Sequence, residues 1–352
     1  MADARDRGRG GGVADVGVRR IVILALETSC DDTCAAVITP QGEIRANVIS
    51  SQGIHDRYGG VVPEIASRHH LELIGPVVDD ALAQARIELT DIELIGVTRG
   101  PGLVAALLVG VATAKAMAAV HRTPLAPVDH LHGHVAAAFL GPTPFEPPFL
   151  SLVASGGHTL LARVEDRGDG FAVIGQTIDD AAGEAFDKGA RLLGLGYPGG
   201  AALERLAADG DPDAFAFPVA ERVPGLDFSF AGLKTALLYR VRELGEAEVS
   251  RRRADLAASY QHAIVEALAR RVERALAETG LRRLAIGGGV AANGRLRSRL
   301  AGLGVELDVP PRELCTDNAA MIASAARYVD ALPYPAYLGI DVYATGERRL
   351  AA

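Results

Sequence analysis

The sequence contains no tryptophan, and aromatic residues make up only 5% of its 352 positions. It has three cysteines, Cys30, Cys34 and Cys315, which form neither an even set nor a Cys-x-x-Cys pair. A disulfide framework is thereby excluded, and reduced thiols in a cytoplasmic protein are expected. An excess of positive charge is missing too, since the formal net charge is −8. That excludes wholesale electrostatic capture of nucleic acid. It leaves room for a local basic surface at Arg251-Arg252-Arg253, Arg270-Arg271 or Arg282-Arg283, although each also suits a solvated helix face. No apolar leader opens the chain: Met1 to Arg20 is rich in Gly, Arg and Asp and is expected to be a disordered tail. The nearest approach to a membrane span, Gly102 to Val120, contains Lys115 and many small residues. A buried, tightly packed helix is expected there, and no membrane partner.

What is present describes a globular protein, with 49% hydrophobic and 23% charged residues in a chain long enough for two domains. Ile21 to Leu26, Cys34 to Thr39 and Glu43 to Ser50 read as three successive strands. The first turn between them holds Asp31 and Asp32 among hydroxyls. It suits a phosphate–metal cluster, but on this segment alone an ordinary hairpin tip is the preferred reading. A proline-rich stretch, Gly141 to Pro148, marks a boundary. Beyond it the pattern restarts at Phe149 to Val153, His158 to Val164 and Phe171 to Gln176. Here the first turn is Ala154-Ser155-Gly156-Gly157, whose glycines let backbone amides approach a phosphate. Ile178 to Leu195 is expected to be helical, as is Ala254 to Thr279. Leu284 to Ile286 runs into Gly287-Gly288-Gly289 and then a helix from Gly294, a nucleotide-holding arrangement. That loop has neither Gly-x-Gly-x-x-Gly spacing nor the Gly-Lys-Ser/Thr of a P-loop.

Asp129 reads as the N-cap of a helix that carries His130 and His134, four residues apart and hence on one face. Two imidazoles so placed can share a metal ion. Leu131 stands where a metalloprotease helix has its glutamate, so a protease reading lacks its general base. Asp317, before the helix beginning at Ala319, is either a third metal ligand or that helix's N-cap.

Several segments together carry a more specific message. They are Glu27-Thr28-Ser29-Cys30-Asp31, Gly59-Gly60-Val61-Val62-Pro63-Glu64, Gly100-Pro101-Gly102-Leu103 and His130-x-x-x-His134. Ser155-Gly156-Gly157-His158-Thr159, the run Asp179 to Lys188, and Cys315-Thr316-Asp317-Asn318 complete the set. From about Ile21 to Tyr343 the sequence resembles the universal tRNA adenosine threonylcarbamoyltransferase family, once called O-sialoglycoprotein endopeptidase. The resemblance implies an α/β fold of the two-domain actin/Hsp70/sugar-kinase (ASKHA) type, each half a mixed β-meander sheet packed with helices. The halves are expected at 21–145 and 146–324, with 325–345 returning to the first half and 1–20 and 346–352 as tails. It implies transfer of threonylcarbamoyl from threonylcarbamoyl-AMP to the exocyclic amine of adenosine 37, in tRNAs reading codons that start with A.

By the same resemblance, His130, His134 and Asp317 hold one divalent metal, Fe(II) or else Zn(II). Val153, Ala154, Ser155, Gly156, Gly157, Asp187, Gly200 and Asn293 contact the adenylate. An inactive paralogous subunit, as a heterodimer, and a small ATPase subunit are the implied partners. Asp31 or Asp32 is expected to orient the amine or take its proton; Asp32 stands where bacterial members usually have glutamate. The rival reading on the same fold is a metal-dependent ATPase or sugar kinase. A non-catalytic subunit is the rival of a different class.

Overall fold

The computed structural model describes residues 22–344, apart from 59, 169, 197 and 220–222. The expected tails at 1–20 and 346–352, and Gly59, lie outside the described residues.

The first half is built on β1 (Ile23–Glu27), β2 (Asp32–Ile38) and β3 (Ile44–Ser51), an antiparallel meander. Then come α1 (Pro63–Ala85), β4 (Leu94–Gly100), α2 (Val104–His121), β5 (Leu125–Asp129) and α3 (His130–Ala136). β4 and β5 add in parallel, giving the order β3-β2-β1-β4-β5. β1 is buried along its whole length because it is the centre of this sheet and both faces are covered. Leu24 and Leu26 pack towards α1 and α2, whereas Ile23 and Ala25 join a separate cluster on the other face.

The second half repeats the plan. β6 (Phe149–Ala154), β7 (Thr159–Val164) and β8 (Phe171–Gln176) form its meander. They are followed by α4 (Ala182–Leu192), α5 (Gly199–Ala207), α6 (Ala231–Arg251), α7 (Arg253–Thr279), β9 (Arg283–Gly287), α8 (Gly294–Ala301) and β10 (Glu306–Asp308). The order β10-β9-β6-β7-β8 matches that of the first sheet element for element. The expected two-sheet α/β architecture is therefore present. Two short helices follow, α9 (Arg312–Cys315) and α10 (Ala319–Ala326), and the described chain then runs on to Ala344.

α10 packs on β1, β2, β4 and α3, so it lies on the first sheet although it follows the second in sequence. Its residues, α3 and inward residues of both sheets share one apolar cluster, which is the joint between the halves. Gly133 allows the closest approach, because a Cβ there would lie 2.6 Å from Ile322 Cδ1.

Two expectations need correction. The helix expected over Ile178 to Leu195 spans only Ala182–Leu192. Asp179 instead turns its carboxylate to the backbone N–H groups of Phe230 and Ala231, at 2.8 and 3.3 Å, capping α6. α2, expected to be buried, is buried on one face only: Val104, Leu108 and Val120 are exposed. Among the described residues it is the one helix long and apolar enough to cross a membrane. Here its inner face rests on β4 and α1, and Lys115 donates to the Leu338 and Ile340 carbonyls at 3.0 and 2.6 Å.

Candidate metal and adenylate site

Asp129 caps α3, its Oδ1 accepting from the N–H groups of Leu131 and His132 at 2.8 and 3.2 Å. One turn of helix then sets His130 and His134 on the same face, with ring centroids 4.8 Å apart. His132 points elsewhere, onto the Phe171 ring. Asn318, not Asp317, caps α10, accepting from Met321 N–H at 3.0 Å. That frees the Asp317 carboxylate. Its Oδ1 lies 3.5 Å from His130 Nε2 and 3.3 Å from His134 Nε2.

One ligand atom from each of the three residues falls within 4.8 Å of the others. The donor set fits a divalent cation, and an independent sign supports it. Both His134 ring nitrogens are buried without a properly formed hydrogen bond, a costly state that a metal ion would relieve.

Glu27 completes this cluster, although its role was not read from the sequence. It ends β1, fully buried, and Oε2 lies 2.9 Å from His130 Nδ1 and 2.6 Å from the donating Thr98 hydroxyl. The Ser29 N–H donates to Oε1. Glu27 therefore accepts the Nδ1 proton and leaves His130 Nε2 facing Asp317, the usual support of a metal-ligating imidazole. Burial alone would raise the Glu27 pKa, but the charge and hydrogen bond of His130 outweigh it and the net shift is downward. Burial likewise opposes charge on His130 and on Asp317. Their mutual attraction prevails, raising the imidazole well above its usual range and holding the carboxyl well below its own. A carboxylate closing a fully buried strand was the available signal, since such a charge requires a partner.

The turn with Asp31 and Asp32 sits beside the same cluster. His70 on α1 steadies it, with Nε2 3.0 Å from the Cys30 carbonyl and Nδ1 2.8 Å from the Thr33 hydroxyl. Burial pushes Asp32 up to about 7; a Ser51 hydrogen bond opposes this, and the negative charges of Asp317, Asp31 and Glu27 add to it.

Across the joint, the Ser155-Gly156-Gly157 turn closes through mutual hydrogen bonds of Ser155 and His158, including Ser155 N–H to the His158 carbonyl at 2.7 Å. A Cβ on Gly156 or Gly157 would meet nothing, so the turn borders open space. His158 brings this turn to the His130–His134–Asp317 cluster, its ring 6.3 Å from that of His130. Burial, then the charges of His130 and His134, lower its pKa to about 4, so it is neutral at physiological pH. Gly287, first of the triple glycine, packs against the His134 carbonyl.

The remaining expected contacts are more constrained. Val153 and Ala154 are buried within β6, at the end that leads into the Ser155-Gly156-Gly157 turn. Asp187 Oδ1 accepts from Gly199 N–H at 2.8 Å, and Gly200 stands beside it at the start of α5. Asn293 caps α8 through Oδ1, and its Nδ2 donates to Gln261 Oε1 at 2.8 Å. The arginines considered for a basic surface are engaged within the fold. Arg252 pairs with Asp255, Arg270 with Glu266 and Arg283 with Glu306, while Arg271 donates to the Asp227 and Val223 carbonyls.

Known proteins resemble this chain in sequence or in fold. The family described as TsaD, tRNA N6-adenosine threonylcarbamoyltransferase, matches residues 43–324. A protein of that name from Syntrophotalea carbinolica is 52% identical over 313 residues, covering 87% of this chain and 90% of its own. One from Anaeromyxobacter sp. (strain Fw109-5) is 53% identical over 313 residues, covering 87% and 93%. Among solved structures, full-length HypF in a phosphate- and nucleotide-bound form matches with a TM-score of 0.58 at 14% identity, over 87% of this chain and 55% of that one. Component A of (R)-2-hydroxyglutaryl-CoA dehydratase from Acidaminococcus fermentans gives 0.55 at 17%, over 88% and 97%. These two bear on the fold alone, and it is the ASKHA fold. The relatives named here lend no support to an ATPase or sugar-kinase reading. The chain belongs to the tRNA N6-adenosine threonylcarbamoyltransferase family and is a transferase of tRNA threonylcarbamoyladenosine modification.

Proposed function

We propose that the donor is threonylcarbamoyl-AMP, held between the Ser155–Gly157 turn and the Gly287–Gly289 loop, with its reacting end towards His130, His134 and Asp317. The observation that carries this reading is the convergence of those three side chains within 4.8 Å, beside both glycine turns. The metal is iron(II), with zinc(II) as the second choice. Two imidazoles and one carboxylate suit either ion and leave coordination positions open. When bound, the ion supplies Lewis-acid polarisation of the donor's carbonyl or phosphate oxygens.

The rest is the work of the chain. Glu27 holds His130 in one tautomer and orientation. The glycine turns admit the adenylate phosphate close to the backbone, and Asp187, Gly200 and Asn293 border the nucleoside end. The adenosine 37 amine attacks the carbamoyl carbon, the bond from that carbon to the phosphate oxygen breaks, and AMP leaves. The proton lost by the amine passes to Asp32, with Asp31 orienting the amine. An acid whose pKa lies near 7 suits that task. The acceptor base lies in an anticodon loop, so presenting it requires less unstacking than extraction from a duplex.

The paralogous subunit joins as a heterodimer, for which exposed Leu71 on α1 and Val104, Leu108 and Val120 on α2 offer apolar contact. A small ATPase subunit completes the assembly, which works in the cytoplasm.

Reconstitution of the chain with both partner subunits, carbamoyl-labelled threonylcarbamoyl-AMP and unmodified tRNA tests the reading. Label is expected on adenosine 37; label released only as carbonate, with none on the tRNA, would refute it.

Asp32→Asn is expected to slow transfer about 10²-fold or more in that assay. A base role is lost if the rate stays near that of the parent. The same variant should behave oppositely in stability. The folded state holds the Asp32 proton up to about pH 7, while the unfolded chain releases it near 3.8. The native state thus binds more protons across that window, and stability falls as pH rises through it. In thermal melts of the metal-free protein, Asp32→Asn should therefore melt well above the parent at pH 8 and close to it at pH 4.

A further inference from the structure

We infer that the Tyr343 hydroxyl is a positioning group for the metal site, acting through Asp129 and the helix that Asp129 caps. The inference rests on the reading of His130, His134 and Asp317 as metal ligands.

The residues after α10 return to the first half and cross the end of β4. Lys115 grips this segment by the Leu338 and Ile340 carbonyls, and the Tyr343 N–H donates to the Arg99 carbonyl at 3.1 Å. The Tyr343 ring then lies against Gly100, whose φ of +149° and lack of a Cβ allow the contact. A Cβ there would lie 2.9 Å from the ring and 2.5 Å from the Tyr343 carbonyl oxygen. The Arg99 guanidinium covers the ring at 5.4 Å from its centroid.

So held, the Tyr343 hydroxyl reaches two acceptors, the Gly100 carbonyl at 2.8 Å and Asp129 Oδ2 at 2.5 Å. The other Asp129 oxygen is the N-cap acceptor for Leu131 and His132. One carboxylate thus joins the C-terminal segment to the first turn of α3, whose next residue is His130.

α3 has only seven residues, too few to hold its own direction, so its two imidazoles are aimed by what grips its ends. Gly133 packed against Ile322 fixes the middle. Asp129 is the grip at the start, and Tyr343 limits that carboxylate to the rotamer that caps. Without the hydroxyl, Asp129 keeps its capping chemistry and loses its restraint. The ligand pair should then wander, weakening metal binding more than it weakens the fold.

The test uses the full-length chain stripped of metal and titrated with zinc(II) against a chromophoric chelator. Tyr343→Phe is expected to weaken zinc binding about tenfold, at the low end for groups that support metal ligands, with the metal-free melting temperature unchanged. Asp129→Ala should weaken it at least as far, and the double variant no further than Asp129→Ala alone, because both act through one contact. Affinity of Tyr343→Phe within twofold of the parent would overturn the inference. So would a loss matched by lower metal-free stability, or losses that simply add. If the parent itself fails to take up one equivalent of zinc, the ligand reading falls and the inference with it. Normal parental binding with an indifferent Tyr343→Phe removes the inference alone.

Discussion

Glu27→Gln is expected to lower metal affinity about 10–100-fold and to reduce transfer at least as much, with the chain still folded. The substitution keeps size and shape, so the effect comes from hydrogen-bond polarity. Three donors converge on this carboxylate: the Ser29 N–H, the Thr98 hydroxyl and the His130 Nδ1–H. Glutamine offers one oxygen and one NH2 group, so at least one donor must then face another. In a fully buried site such a mismatch costs about 1–3 kcal/mol per unsatisfied group. Relief comes from rotation of His130, which turns Nε2 away from Asp317, or from tautomer exchange, which puts the ring proton on Nε2 and takes away its lone pair. Metal titration of the variant checks this. Affinity equal to that of the parent would show that Glu27 does not support His130.

Gly288→Ala should lower the melting temperature by several degrees or more and abolish donor binding. Gly288 sits at φ +83°, ψ 159°, a conformation open essentially to glycine alone. A Cβ would also lie 2.3 Å from the Ala154 carbonyl oxygen and 2.6 Å from its carbon. Both obstacles are backbone and cannot swing aside. Strain and overlap together cost about 3 kcal/mol or more. They would push the triple-glycine loop off the end of β6, from which the Ser155–Gly157 turn springs. Gly156→Ala provides the contrast. Its Cβ meets nothing, so melting should be unchanged while binding of the adenylate weakens. Parallel melts and equilibrium binding of AMP or a stable donor analogue separate the two effects. Equal melting temperatures for both variants would contradict the packing described here.

Much of this architecture was legible in the sequence because it rests on local pattern. Two strand–turn–strand openings, one before and one after a proline-rich boundary, foretold the two sheets. Asp129 followed by histidines four apart foretold α3, since capping and helical period are both short-range. Long-range choices were not legible. Asp317 and Asn318 are adjacent polar residues before one helix, and either could cap it. Only the fold shows that Asn318 caps while Asp317 turns to residues nearly two hundred positions away. Asp179 looked helical because its neighbours are, yet it serves a helix some fifty residues later. Glu27 could be quoted from its motif but not assigned, because its partners come from three separate stretches of chain. The return of α10 to the first sheet is likewise invisible in sequence order.

The central claim is that His130, His134 and Asp317 bind one metal ion together. X-ray absorption at the metal edge of the loaded full-length protein tests it most directly, alongside His134→Ala and Asp317→Asn. One ion per chain is expected, with two imidazoles and a carboxylate oxygen in its first shell. One imidazole should vanish in the first variant, and the oxygen should change in the second. A shell containing sulfur, or one that neither substitution alters, would contradict the account.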